Sequence, residues 1–385
     1  MLFMSQRAKH DFLDTCAHIK FGRLRLRTPE GETFDFGRGQ PSAEMTIRDW
    51  SVVTAAAARG DIGLGETYVA GLWDTPSIAD LATIGLLNLD HFRGYAYASF
   101  WNSLKFRVAH QILRINAPRR KARSIRAHQN VGNEFYQQWL DDGMTYSSAM
   151  FADDDRDLHR GQNRKYDRIL DRMGSSESIL EIGCGWGGFA ERAANIGRRV
   201  TGLTISPKQK GFADARLDGR ADILLQDYRH SSGTYENIVS IEMVEAVGPQ
   251  FWPTYFATLK ARMAENGRAV IQSITVPNTY FDIYRRSADY IRNYAFPGGM
   301  LMSPAIIARQ AKTAGLAIKD SHAFGADYAR TCSIWHQRLN ERSPQIRSLG
   351  YDEEFLRSWR FYLGICTASF AVKQTDVLQF ELTHV

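Results

Sequence analysis

Only four cysteines, Cys16, Cys184, Cys332 and Cys366, are spread through the 385 residues, and no two form a CxxC pair. That scatter suits neither a disulfide framework nor a zinc site, no metal is expected, and a reducing cytoplasm is the simple setting. No run of about 18 apolar residues occurs, so no transmembrane helix is expected. The N-terminal MLFMSQRAKHDF has no long apolar stretch of the kind a signal peptide requires. Internal repeats and low-complexity tracts are missing too. What remains is a globular composition, 44% hydrophobic and 23% charged, long enough for two domains with separate cores. The formal net charge of +6 is mild, and its placement matters more than its total.

One stretch, residues 107 to 126, has no acidic residue but carries Arg107, Arg114, Arg119, Arg120, Lys121, Arg123 and Arg126 around Pro118. It reads as a basic linker over 106–127, between an N-terminal α+β domain of residues 1–105 and a larger domain of residues 128–385. In the first domain, residues 21 to 36 alternate apolar and polar around Pro29-Glu30-Gly31, a hairpin pattern. From Met45 to Leu89 the pattern is helical, broken by Gly60, Gly63, Gly65 and Gly71. Beyond residue 165, the apolar runs SILEIG, RRVTGLTI, ADILLQ, ENIVSIEMV and RAVIQSIT alternate with helical segments. Strands spaced by helices imply an α/β fold, a mainly parallel sheet with helices on both faces. Residues 351 to 380 read as a long amphipathic helix followed by a last strand, VLQFEL.

The strand ending at Glu181 runs into Gly183-Cys184-Gly185-Trp186-Gly187-Gly188 and then a helix. Such glycines let the backbone turn sharply and approach a ligand. Dinucleotide-binding loops use a similar turn for a pyrophosphate. Here Glu181 stands two residues before the first glycine, and an acid there suits a cationic amino group. S-adenosylmethionine is therefore favoured over NAD. The next strand ends without an acid, in Thr204, Ile205 and Ser206, with Gln209 following. The third ends in Asp227, which is either an acceptor for an adenine amino group or an ordinary strand-end cap.

The segments VGNEFY (131 to 136), MTYS (144 to 147), LEIGCGWGGFA (180 to 190), GLTIS (202 to 206), LQDYR (225 to 229), IVSIEMVEAVG (238 to 248), FPGGML (296 to 301) and FGADYARTCSIW (324 to 335) follow in order. Together they resemble the cyclopropane fatty acid synthase family. The resemblance covers nearly all of residues 128 to 380. It implies a Rossmann-like methyltransferase fold with a helical lid, a tunnel for an acyl chain, and a bound bicarbonate that accepts a proton. By position, it implies that Tyr146, Ser147, Gly183, Gly185, Thr204, Ile205, Gln209 and Asp227 contact S-adenosylmethionine. Glu181 and Gly187 join them from the loop reading. The bicarbonate contacts implied are Ser148, Glu245, Gln272, Ile274 and Tyr328. Three positions depart from the family: Ser148 stands for the usual Cys, Gln272 for the usual His, and Ala246 for a His beside Glu245.

The chemistry implied is attack of an acyl double bond on the sulfonium methyl group. Loss of a proton from the transferred methyl closes a cyclopropane, whereas loss from a chain carbon leaves a methyl-branched or methylated unsaturated chain, as on the way to furan fatty acids. Ser148 and Gln272 can donate hydrogen bonds but cannot supply the charge of a protonated His. Glu245 follows an apolar strand and is the preferred carboxylate, with helix capping as its plain alternative. Glu242 is the weaker candidate, and Tyr328 is otherwise a core tyrosine. The substrate implied is an unsaturated phospholipid reached at the inner membrane surface, with homodimerisation and a product-processing oxidoreductase as further partners. Phe92, Tyr95, Tyr97, Phe100, Trp101 and Phe106 precede the basic stretch and suit either a bilayer interface or an N-terminal core. No nucleic-acid motif accompanies the basic stretch. A soluble-substrate methyltransferase and an inactive lipid-binding protein are the competing classes.

Overall fold

In Gly22–Arg27 (β1), alternation buries Leu24 and Leu26 and exposes Arg23, Arg25 and Arg27, the period-two pattern of a strand with one covered face. The computed structural model describes residues 2–96, 131–153, 155–174 and 177–385. Strand β1 pairs antiparallel with β2 (Thr33–Arg38), which is the hairpin expected around Pro29-Glu30-Gly31. A parallel neighbour, β3 (Ser42–Ile47), and the short β4 (Trp73–Asp74) complete a sheet of order β2-β1-β3-β4.

The chain folds into two compact units, and their boundaries are not those expected from sequence. The first unit takes residues 1–131, 282–297 and 336–374; the second takes 132–281, 298–335 and 375–385. The two late segments, expected within a domain of residues 128–385, therefore belong with the N-terminal sheet. The reason is burial. Tyr290 and Phe361 stack edge to face at 4.7 Å in a core with Leu24, Leu26, Met45, Ile47, Tyr68 and Trp73. Arg357 bonds the Asp74 carboxylate at 2.7 Å and the carbonyls of Tyr68 and Trp73 at 2.6 and 2.9 Å. Those bonds pin the helix Glu353–Ala371 in the first unit.

Gly60 (φ 62°) separates the helices Ser51–Arg59 and Asp61–Val69, as a helix-breaking glycine should. Gly63 and Gly65 do not break the second helix. A Cβ on Gly63 would lie 2.1 Å from the Ala55 carbonyl oxygen, so this glycine permits close helix packing. Phe92 and Tyr95 pack against the first unit's core, Tyr95 edge-on to Phe12 at 5.5 Å. That is the core alternative for these two. Tyr97, Phe100, Trp101, Phe106 and the basic stretch 107–126 lie outside the described residues.

The second unit is built on a seven-stranded sheet of order β10-β11-β9-β8-β5-β6-β7. The strands are β5 (Ser178–Ile182), β6 (Arg199–Thr204), β7 (Asp222–Leu225), β8 (Tyr235–Ile241), β9 (Met263–Thr275), β10 (Leu316–Ala323) and β11 (Asp376–His384). All neighbours are parallel except at β11, which runs antiparallel to both β9 and β10. Apolar cores lie around Leu180, Ile238 and Phe256, and around Ile179, Phe189 and Val270. This is the Rossmann-like α/β architecture expected. The strand order reverses between β5 and β8, and open sheets of this kind bind ligands at that switch point, beyond the carboxyl ends of the strands. Among the described residues, no helix is long and apolar enough to cross a membrane.

Candidate active site

At the switch point lies a cavity of about 460 Å³, walled by the ends of β5, β6 and β8 and by residues 144–147. Its floor is the glycine turn. Gly183, Gly185 and Gly187 have φ of 83°, 53° and 81°, a left-handed backbone that only glycine adopts freely. The N–H groups of Gly183 and Cys184 both donate to the Leu203 carbonyl, at 3.0 and 2.9 Å, which ties the turn to β6. A Cβ on Gly183 would come within 2.8 Å of Met243.

Of the residues expected at the cofactor, Tyr146, Ser147, Glu181, Gly183, Gly185, Thr204, Ile205, Gln209 and Asp227 line this cavity. Gly187 does not. It faces Ala213 and Leu217 instead, so its left-handed turn serves packing under the loop. Thr204 donates its hydroxyl to Gln209 Oε1 at 2.9 Å. Asp227 accepts from the Arg229 guanidinium at 2.7 and 3.0 Å and from the Arg229 N–H at 2.9 Å. Arg229 holds its carboxyl below the usual range. Asp227 therefore caps a turn, the strand-end alternative, and also borders the cavity.

Glu181 is buried, and its Oε2 has no hydrogen-bond partner among the described residues. Burial pushes its carboxyl up to about 8, with the nearby Lys165 opposing the shift. A buried carboxylate with an unsatisfied oxygen, on a residue that lines the cavity, suits a cationic donor. The α-amino group of S-adenosylmethionine is such a donor, and the lining residues fit that molecule. Lys165, fully buried on the helix Leu158–Met173, donates to Ser147 Oγ at 2.6 Å. Burial lowers its ammonium to about 7, while the charges of Glu242, Asp141 and Glu181 pull the other way. Nothing in the sequence singled out Lys165. Its i, i+3/i+4 neighbours on an amphipathic helix read only as an ordinary covered face.

The second group of expected residues meets beside this cavity, around Glu242. Its Oε1 accepts the Ser148 N–H at 2.9 Å and Gln272 Nε2–H at 2.7 Å, and its Oε2 accepts the Tyr328 hydroxyl at 2.5 Å. Glu242 also lines the cavity, whereas Ser148, Glu245, Gln272, Ile274 and Tyr328 do not. The Ser148 hydroxyl turns away to the Ala149 carbonyl at 2.9 Å, so residue 148 contributes its backbone to the group. Glu245 Oε1 accepts the Ile274 N–H at 2.6 Å. Burial and then the charge of Glu242 push Glu245 up to about 8. Burial raises Glu242 as well, but Tyr328, Lys165, Ser148 and Gln272 all favour its charged form. Burial thus raises both carboxyls, and the charge of Glu242 adds to the shift of Glu245, so the donors around Glu242 favour ionisation there over ionisation of Glu245.

Glu242, taken from sequence as the weaker of the two acids, is the hub of the group. One signal was available: it stands directly at the end of β8, where side chains face the ligand crevice, and Glu245 lies a turn further on. The same geometry bears on the expected bicarbonate. Its implied donors already serve a carboxylate of the protein, and a second anion there would meet like charge. These residues do not fit a bicarbonate alongside Glu242.

The sequence profile of the mycolic acid cyclopropane synthetase family matches residues 116–380. The tuberculostearic acid methyltransferase UfaA1 of Mycobacterium tuberculosis is 35% identical over 389 residues, covering 96% of this chain and 88% of that protein. The cyclopropane-fatty-acyl-phospholipid synthase of Escherichia coli strain K12 is 31% identical over 350 residues, covering 89% of this chain and 88% of that protein. Among solved structures, the mycolic acid cyclopropane synthase CmaA1 complexed with SAH and CTAB gives a TM-score of 0.62 at 26% identity, covering 67% of this chain and 96% of that one.

Proposed function

The chain belongs to the mycolic acid cyclopropane synthetase family of S-adenosylmethionine-dependent methyltransferases, and from that premise we propose that it methylates the cis double bond of an unsaturated fatty acyl chain in a membrane phospholipid. The observation that carries this reading is the cavity wall. A buried carboxylate oxygen at Glu181 awaits a cation, and Glu242 stands on the same wall beside apolar Met243, Ala246, Val247 and Phe251. A greasy substrate needs such apolar surface, and water must be excluded while a weak alkene nucleophile is aligned.

When bound, S-adenosylmethionine supplies an electrophilic methyl group on a positively charged sulfur. Glu181 binds the cationic amino end, and the glycine turn lets the backbone close on the donor. Thr204, Gln209 and Asp227 offer polar partners for its nucleoside end. Attack by the double bond leaves positive charge on the neighbouring acyl carbon. The Glu242 carboxylate stabilises that charge in a dry site where electrostatics are strong.

Ring closure is the outcome the cyclopropane synthase resemblance implies. A second reading, a methyl-branched or methylated unsaturated chain, is favoured by one observation: Gln272 and the Ser148 backbone bind a protein carboxylate, so the group placed to accept the proton differs in kind. Docking from the cytoplasmic side onto the membrane surface is part of the proposal. Incubation with labelled S-adenosylmethionine and unsaturated phospholipid vesicles, followed by mass spectrometry of the acyl chains, tests it. Label in the acyl chain is expected. Label released only on water-soluble acceptors overturns the lipid assignment, and a purely cyclopropane product removes the second reading.

A further inference from the structure

We propose that the carboxylate of Glu242 is itself the proton acceptor of the reaction, in the position the family resemblance gives to a bound bicarbonate, so that this enzyme turns over without bicarbonate. The inference rests on the methyl-transfer reading above. Three of the five groups that the resemblance assigns to the anion, Ser148, Gln272 and Tyr328, donate to Glu242 at 2.9, 2.7 and 2.5 Å. The other two, Glu245 and Ile274, are bonded to each other at 2.6 Å.

The backbone is arranged for this carboxylate. Glu242 has φ of 50°, a left-handed conformation uncommon for a residue with a side chain. Its N–H donates to the Gln272 carbonyl at 2.8 Å, which secures the turn. Sites that hold a residue in such a conformation are often functional ones. The Gln272 amide is oriented too. Its Oε1 accepts from Gln379 Nε2 at 3.1 Å, and Gln379 Oε1 accepts from Arg168 at 2.9 Å, so Gln272 Nε2 is directed at Glu242.

A neutral amide at position 272 now has a reason. A protonated His there would pair with Glu242 and weaken it as a base, whereas a neutral donor positions the carboxylate and leaves it basic. The ionisable groups facing Glu242 are Lys165, Tyr328 and Glu245. The step balances within the site. After methyl transfer, a C–H bond breaks either on the transferred methyl, which closes a ring, or on a chain carbon beside the cationic carbon, which forms a double bond. Its electron pair fills the cationic carbon, and the proton passes to a Glu242 oxygen and then to water as the product leaves.

The test compares wild type with E242G and E242Q. Glycine relieves the left-handed backbone, so E242G keeps the fold while opening the anion position. Titration with carbon-13 bicarbonate, followed by NMR line broadening, is expected to show no binding to wild type and binding to E242G. Wild-type turnover in carbonate-free buffer is expected to match turnover with bicarbonate. E242Q is expected to lose turnover about 100-fold or more while keeping its cofactor affinity, and added bicarbonate is expected to restore part of the turnover of E242G but none of that of E242Q. Bicarbonate binding to wild type, a bicarbonate requirement of wild-type turnover, or an E242G chain that does not bind the ion overturns the inference. If neither wild type nor any variant methylates lipid, the methyl-transfer reading fails and this inference with it; if wild type methylates lipid but binds or requires bicarbonate, this inference alone fails.

Discussion

Two carboxylates, the buried Glu181 and the half-buried Glu242, stand at the ends of the neighbouring parallel strands β5 and β8, and their surroundings are opposite. Glu181 lines the cavity and has an oxygen with no hydrogen-bond partner among the described residues, beside a lysine that bonds elsewhere. Glu242 accepts three hydrogen bonds from the protein before any ligand arrives. Both cost free energy to bury. A bound cation would offset that cost at the first, as expected of a recognition group. The second is aimed by the fold alone, through donors that favour its charged form, as pre-organisation for chemistry requires. The contrast separates affinity from turnover, and each half can be broken alone.

The largest effect is expected at Glu242. In Glu242→Gln the turnover number should fall about 10²- to 10⁴-fold, the range for loss of a general base, with the dissociation constant for S-adenosylmethionine within a few-fold of wild type. A matching loss of cofactor affinity by calorimetry would erase the distinction drawn here. Glu181→Gln should do the reverse and weaken S-adenosylmethionine binding about 10- to 100-fold, as expected for a lost charge-assisted bond, with saturated turnover changed much less.

The pH dependence sharpens the same comparison. Burial raises the Glu181 carboxyl to about 8 in the ligand-free protein, so binding a cation must expel its proton at lower pH. Affinity for S-adenosylmethionine, measured relative to Glu181→Gln, should therefore rise with pH below about 8 and level off above it. A flat ratio would mean that Glu181 is already ionised. Tyr328→Phe removes a donor that favours the charged form of Glu242. Its acid limb in the pH profile of turnover should move to higher pH, with cofactor affinity unchanged.

The smallest effect on either carboxylate is expected from Gly63→Ala, in the first unit. The added methyl would meet the Ala55 carbonyl at 2.1 Å. It should lower stability by about 1 to 3 kcal/mol, the usual cost of overpacking, visible as a lower melting temperature. Cofactor affinity at 25 °C should not change.

Much of the second unit was legible along the chain. Strands β5, β6, β8 and the second half of β9 are largely buried and so read as apolar runs, and Gly183, Gly185 and Gly187 mark the left-handed backbone of the turn. The strand β10 was not read. It is an edge strand with an exposed second half, KDSHA, and carries little apolar signal. The helix Glu353–Ala371 and the last strand were visible as elements, but the unit to which the helix belongs was not.

By itself, the order of residues determined the parallel α/β sheet, the glycine turn with Glu181 before it, and the approximate company of the site, because these depend on local backbone preference and periodic burial. Tertiary structure alone decided that residues 282–297 and 336–374 complete the N-terminal core. It also decided that Glu242, and not Glu245, gathers Ser148, Gln272 and Tyr328. Those outcomes depend on groups up to 289 residues apart meeting within hydrogen-bond distance, and no periodicity in the chain records which distant donors a side chain will find.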